Sequence, residues 1–279
     1  MSAQRRRRQL ADLAIYALLV LACCGVVLPI LWALSTSLKL PPEIHAGGHW
    51  WPQAPTVRNY LTGALAPRFL RYIANTLLVF ALTLLLSVAL AVHAAYAVVR
   101  RKFRGKNVLL FAIWATIMIP GVSIVVPLYT LSVDVGLYDT YPVLVLVYAA
   151  WLIPTLIWLL RGFVAAVPPS LEEAALVDGC TPLRAFYLVV LPLLQPGLGA
   201  AAVLVFVTIW NDFLIGFALT LSDEHRILQV GLQAFVTEGG IDWGPMMAAT
   251  IGSMVPACIL FALLQRSFIQ GLTGGAVKG

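Results

Sequence analysis

Three carboxylates, Glu172, Glu173 and Asp178, share one short segment, Pro168-Pro169-Ser170-Leu171-Glu172-Glu173-Ala174-Ala175-Leu176-Val177-Asp178-Gly179, which runs on to Leu191-Pro192. Clustered acids near one face could serve a membrane enzyme, yet no metal-binding histidine accompanies them. Their other chemistry is recognition. The adjacent small residues Ala174 and Ala175 let a second backbone approach closely, and acids beside them can pair with basic groups on a partner. Apolar stretches of membrane length flank the segment, so it docks on something other than lipid. A loop that merely caps its own bundle is the competing reading of these residues.

Asp212 is the only acid deep inside an apolar run, and Trp210 and Asn211 lie beside it. An ionisable group near the centre of a membrane helix costs about 2.5–3.5 kcal/mol on insertion scales, so it faces protein or a water-filled cavity. At about 1.5 Å per residue it lies about 22 Å along its helix, in the outer half. Two roles fit: lining a path that touches a polyol by hydrogen bonds and ring stacking, or clasping a neighbouring helix. His93, near the end of another run, is expected to pair with a backbone carbonyl. Cys23, Cys24, Cys180 and Cys258 lack metal-ligand spacing and read as small packing residues. Gly47-Gly48 separates His45 from His49, with no Cys or Asp nearby, so no metal is expected there. The Gly-rich end has no preceding strand and no Gly-Lys-Ser or Gly-Lys-Thr, so it is not a phosphate loop. No cofactor is expected, and any ATP must be hydrolysed by a partner.

The elements that position the carboxylates follow from the same segment. Pro168-Pro169 stops the preceding helix. Ser170 with Glu173 three residues later has capping-box spacing, and Gly179 suits the left-handed position after a short helix. Thr181-Pro182 then reads as an N-cap and first helical position. A second helix is expected over Leu183–Leu191, ended by Pro192.

Composition places this hairpin in a membrane protein. The chain has 279 residues, 61% hydrophobic and 11% charged, against about 25% charged in soluble domains. Mean hydropathy is +0.93. Six runs reach the roughly 20 residues needed to cross a bilayer, at 12–36, 73–99, 108–129, 142–161, 197–221 and 245–266. The first run, Leu13 to Leu34, exceeds the usual signal-peptide core of about 7–15 residues and reads as an uncleaved helix. Pro29, Pro120, Pro127, Pro154 and Pro256 fall within these spans, and each removes a backbone donor. His49-Trp50-Trp51-Pro52, in the long segment 37–72, suits an aromatic anchor at the headgroups.

The net charge of +6 does not point to nucleic acid, because topology accounts for the basic residues. With the N-terminus inside, the cytoplasmic side carries Arg5–Arg8, the 100–106 cluster, Arg161, Arg184, Arg266 and Lys278, thirteen of the eighteen Lys and Arg. Lys39, Arg58, Arg68, Arg71 and Arg226 remain outside. That asymmetry is the positive-inside pattern, with both termini cytoplasmic.

The hairpin resembles the signature of ABC importer permeases: Glu173-Ala174-Ala175, three residues, Gly179, nine residues, Val189, one residue, Leu191-Pro192. Val189 stands where isoleucine is usual. Asn59-Tyr60, Asn75-Thr76, Ala94-Ala95-Tyr96-Ala97, Trp210-Asn211-Asp212-Phe213 and the ending Gly271-Leu272-Thr273-Gly274-Gly275-Ala276-Val277-Lys278-Gly279 carry the likeness along the chain. They are similar to the carbohydrate-uptake, maltose-permease-like branch of the binding-protein-dependent transport inner-membrane family. The resemblance implies an all-α membrane protein of six transmembrane helices, with a cytoplasmic coupling-helix hairpin between spans 4 and 5. It implies a basic tail 1–11, a permease domain 12–266 with coupling loop 162–196, and a cytoplasmic tail 267–279. Implied partners are two copies of an ATPase, a second homologous permease, an extracytoplasmic solute-binding protein, a sugar or polyol, and the lipid of the cell (inner) membrane. Glu172, Glu173, Ala174, Ala175, Asp178 and Gly179 would meet the ATPase, and Asn75, Trp210, Asn211 and Asp212 would line the path. A self-contained secondary transporter is the rival, though beyond Asp212 and His93 few intramembrane ionisable groups are available for one.

Overall fold

Long apolar runs punctuated by proline and glycine should give long helices with defined breaks. The computed structural model has that pattern over the residues it describes, 3–276 for the backbone and 9–265 for side chains. The side chains of Arg5–Arg8 and of the expected tail 267–279 therefore lie outside the described residues. The helices are α1 (Ala3–Ser37), α2 (Pro41–Ala46), α3 (Arg58–Thr62), α4 (Pro67–Arg100), α5 (Lys106–Ile117), α6 (Gly121–Asp134) and α7 (Tyr141–Ala166). Then come α8 (Pro169–Val177), α9 (Pro182–Ala185), a π-turn (Phe186–Val190), α10 (Leu191–Leu193), α11 (Gln195–Asn211), α12 (Leu214–Leu219), α13 (Leu228–Leu232) and α14 (Trp243–Ala276). Two short strands, β1 (Val236–Thr237) and β2 (Gly240–Ile241), pair antiparallel before α14.

Among the described residues four helices are long and apolar enough to cross a membrane: Gln9–Ser37, Pro67–Arg100, Tyr141–Ala166 and Trp243–Gln265. Two bent pairs raise the number to six if each counts as one span. The run expected over 108–129 is one of them, α5 meeting α6 at 92°. Pro120 explains that break, because it lacks an amide and pushes the residue before it out of helical dihedrals. The other joins Pro182–Leu193 to Gln195–Asn211 at 71°, and the run expected over 197–221 divides after that bend. Its helix ends at Asn211, Asp212 is extended at φ −75°, ψ 129°, and α12 follows.

The chain forms two compact units. One takes the described residues up to Leu70 and Leu232–Val255. Here Asn59 of α3 donates to the carbonyls of Ser37 (2.9 Å) and Lys39 (2.8 Å), fixing the chain as it leaves α1. The most apolar window of α1 is not buried against this chain at all. An all-round apolar helix left unburied is a membrane feature.

The second unit takes Arg71–Gly231 and the described residues from Pro256 onward. Its core sets Leu144, Leu152, Leu156 and Leu160 of α7 beside Ala201, Val205 and Ile209 of α11, all buried. Small residues bring the helices close: a side chain at Gly197 would meet the ring of Phe163 at 2.6 Å.

Candidate functional site

The hairpin forms, with one change at its start and one at its end. Helix α8 begins at Pro169 with Pro168 as N-cap and no side-chain cap. Ser170 therefore lies inside the first turn, and the expected capping box with Glu173 is not made. Proline pre-set for the first helical position starts the helix a residue earlier. The C-terminal end matches expectation: Gly179 has φ +87°, its amide donates to Leu176 O (3.1 Å), and that of Cys180 to Ala175 O (2.9 Å). These two bonds make a Schellman cap. Thr181 caps the next helix, its hydroxyl accepting the Arg184 amide at 3.3 Å.

Pro192 does not end that helix. The chain stays helical through Leu193 by widening into the π-turn at Phe186–Val190, and it bends only afterwards, by 71°, into α11. A wider turn just before a proline makes room for its ring and its missing donor.

Adjacent acids of α8 face opposite ways. Glu172 is 12% exposed and accepts hydrogen bonds from Tyr96 Oη at 2.8 Å and Arg100 Nε at 2.5 Å. Arg100 also donates to the Val167 carbonyl at 2.7 Å. Glu173, Ala174, Asp178 and Gly179 are exposed, whereas Ala175 is buried against the chain. Beside the exposed set stand Leu171, Leu176, Leu183 and Val177, the last 87% exposed. Acids and bare aliphatics on one knob form a surface that a partner with basic and apolar groups can cover. His93 meets the carbonyl of Ala89 at 2.6 Å, as expected, and its other ring nitrogen lies 2.8 Å from Tyr187 Oη.

The four expected path residues separate into two pairs. Asn75 is buried and donates to the carbonyls of Glu224 (2.7 Å) and Arg226 (2.9 Å), while Tyr141 donates to its Oδ1 at 2.8 Å. Asp212 lies at the α11–α12 break and accepts from Tyr148 Oη at 2.7 Å and the Gly216 amide at 3.0 Å. Both thus bind their own chain. Trp210 and Asn211, with Phe206, Phe261 and Leu264, line a groove of about 260 Å3. Asn211, in this lining, donates to Val207 O at 2.8 Å.

Around Asn75 the structure adds partners that sequence reasoning missed. Tyr72 donates to Asp223 at 2.7 Å, and Thr76 accepts the Leu228 amide at 2.8 Å. Asp139 accepts the amides of Leu221 (2.9 Å) and Ser222 (3.1 Å) and lies 3.6 Å from His225. Burial would raise the Asp139 pKa, but these amides, the Ser222 side chain and His225 outweigh it and hold the carboxyl below its ordinary value. A signal for Asp139 existed: it adopts φ 57°, where Asp and Asn are tolerated, just after Gly136. The pairing of Tyr96 and Arg100 with Glu172 carried none, because the partner is 72 or more residues away. Among the described residues no three His, Cys, Asp or Glu side chains gather as a metal site.

The family described as binding-protein-dependent transport system inner membrane component matches residues 85–274, which include the hairpin. The diacetylchitobiose uptake system permease protein DasC of Streptomyces coelicolor is 36% identical, over 91% of this chain and 93% of that one. The trehalose transport system permease protein SugB of Mycobacterium tuberculosis is also 36% identical, with the same coverage. The trehalose/maltose transport system permease protein MalG of Thermococcus litoralis is 32% identical over 96% of each. In fold, the chain is similar to one from a bacterial ABC transporter involved in importing the acidic polysaccharide alginate. The TM-score is 0.81 at 22% identity, covering 96% of this chain and 99% of that one. From the motif, the hairpin's geometry and these relatives, the chain belongs to the binding-protein-dependent transport inner-membrane family, as an ABC-importer permease.

Proposed function

We propose that this chain forms part of the transmembrane path of a sugar importer and couples it to ATP hydrolysed by a separate subunit. The observation that carries the proposal is the exposed knob of α8, where Glu173, Ala174, Val177 and Asp178 surround a Schellman cap while Glu172 holds the helix to its own bundle. The positive-inside count supports a cytoplasmic knob and cytoplasmic termini, on six spans with the bent α5–α6 pair as one crossing and α11 with α12 as another. Two ATPase copies, a second permease and an extracytoplasmic binding protein complete the assembly. ATP binding closes the ATPase dimer, draws the docked hairpins together and turns the helices outward; hydrolysis resets them. Relatives named for diacetylchitobiose and for trehalose support a sugar substrate.

The path residues divide by their bonding. Trp210 and Asn211 line the groove, where the exposed amide of Asn211 can meet a sugar. Asn75 and Asp212 serve as clasps, because their polar atoms are bound within the chain.

The test is purification of the tagged chain from its own membrane in mild detergent, beside Glu173→Lys and Gly179→Pro. An ATPase that accompanies the wild type and is lost from both variants is the expected result. A chain that comes away alone and intact overturns the proposal in favour of a secondary transporter.

A further inference from the structure

Helix α4 differs from every other membrane-length helix among the described residues. Proline interrupts α1 at Pro29, α7 at Pro154 and α14 at Pro256, and the remaining candidate spans are bent pairs. Between Arg68 and Arg100, α4 contains neither proline nor glycine. Sharp kinks arise at Pro, at Gly/Ser pairs and at π-bulges, so a helix without them acts as a stiff rod.

Both ends of that rod are bonded to polar segments. Toward its N-terminal end Tyr72, Asn75 and Thr76 hold the 223–228 segment by side-chain bonds to Asp223, Glu224, Arg226 and Leu228. At its C-terminal end Tyr96 and Arg100 hold Glu172 on the first arm of the hairpin. His93 reaches Tyr187 on the second arm, and the Phe186 ring packs against His93 and Tyr96, with centroids 5.0 and 4.6 Å away. From Tyr72 to Arg100 the axis advances about 42 Å at about 1.5 Å per residue, more than the bilayer's hydrocarbon core of about 30 Å.

We infer that α4 is the strut that carries hairpin movement to the 220–228 segment on the far side of the membrane, with Arg100, Tyr96 and Glu172 as positioning residues at its driven end. This rests on the importer function proposed above. It assigns Glu172 a task different from that of its neighbour: Glu173 meets the partner, and Glu172 passes the displacement into the bundle. An ion pair reinforced by a tyrosine hydroxyl and a carbonyl fixes the hairpin's direction as well as its distance, so the two elements move as one body. Beside the Tyr72–Asp223 side-chain bond, the far contacts are bonds to the backbone of 224, 226 and 228, so a shift of α4 drags the main chain of that segment. Coupling of this kind needs direct evidence that both ends respond together.

The experiment is hydrogen–deuterium exchange on the purified complex, with and without ATP plus vanadate, for wild type, Arg100→Gln, Tyr96→Phe and the swap Arg100→Glu with Glu172→Arg. Wild type is expected to change exchange at least twofold in both 169–180 and 220–228. In Arg100→Gln the hairpin response persists and the 220–228 response falls at least threefold; Tyr96→Phe does the same more weakly. The swap restores the distant response, which a merely structural loss would not allow, and it also serves if Arg100→Gln fails to fold. A 220–228 response equal in wild type and variants overturns the strut alone, as does a wild type whose hairpin responds without 220–228. A wild-type hairpin that ignores nucleotide overturns the importer function, and the strut with it.

Discussion

Tyr148 of α7 donates its hydroxyl to Asp212 across 2.7 Å, joining the middle of one buried helix to the break that ends another, 64 residues later. The same carboxylate accepts the Gly216 amide in the first turn of α12. One acid thus closes the end of α11, starts α12 and ties both to α7. Replacing Tyr148 with Phe removes a bond to a buried carboxylate and is expected to cost about 1 kcal/mol or more. Melting of the detergent-solubilised chain should fall, with complex assembly falling in parallel for Asp212→Ala. Transport lost at full assembly would instead make Asp212 a path residue.

Glu172 and Glu173 should respond oppositely to the same substitution. Glu172→Lys sets a second cation against Arg100 in a site where both side chains are under 15% exposed, and breaking such a pair costs about 3 kcal/mol. Glu173→Lys, on an exposed position, should change stability by under about 0.5 kcal/mol yet abolish ATPase recovery. Thermal unfolding and co-purification, measured on both variants, separate the two.

Two glycines resist substitution for different reasons. A side chain at Gly179 would meet nothing within 4 Å, but the residue sits at φ +87°, so Gly179→Ala should cost about 1–2 kcal/mol through the backbone alone. Asn, which tolerates that region, should recover much of it. A side chain at Gly231 would run into the Tyr72 ring. Gly231→Ala should therefore displace Tyr72 from Asp223 and cost about 1–3 kcal/mol, with no rescue by Asn.

Asp139 should make stability depend on pH in the acid range. Its folded pKa is held below the ordinary value, so its contribution is fully present above the unfolded pKa of about 3.9. It is lost as pH falls through the lower folded value. Asp139→Asn keeps the tolerance for φ 57° and should be about 1–2 kcal/mol less stable at neutral pH. The gap between mutant and wild type should close as acid protonates the wild-type carboxyl. Unfolding curves at a series of pH values check this; a gap that persists at the lowest pH would exclude the carboxylate as its source.

Trp210 and Asn211 line a groove with Phe206 and Phe261, so filling it should block passage without unfolding. Asn211→Trp is expected to leave ATPase recovery intact and to reduce uptake of the transported sugar at least tenfold. Unchanged uptake would take the groove out of the path.

What the sequence determined by itself was whatever depends on neighbouring residues or on counting. Apolar length located the helices of α1, α4, α7 and α14, charge asymmetry set the orientation proposed for them, and the Glu-Ala-Ala spacing marked the hairpin, because a Schellman glycine and a Thr-Pro start act within a few residues. Local rules also erred locally: the Ser170 box lost to a proline start, and Pro192 was absorbed by a π-turn. Tertiary structure alone decided which acid faces out, since period and spacing treat Glu172 and Glu173 alike until Arg100 arrives from α4. It likewise bonded Asn75 and Asp212 to their own chain, through Tyr141 and Tyr148 on α7. Such pairings join residues 64 or more positions apart, and only the folded packing of helices, which no local propensity encodes, brings them within hydrogen-bonding distance.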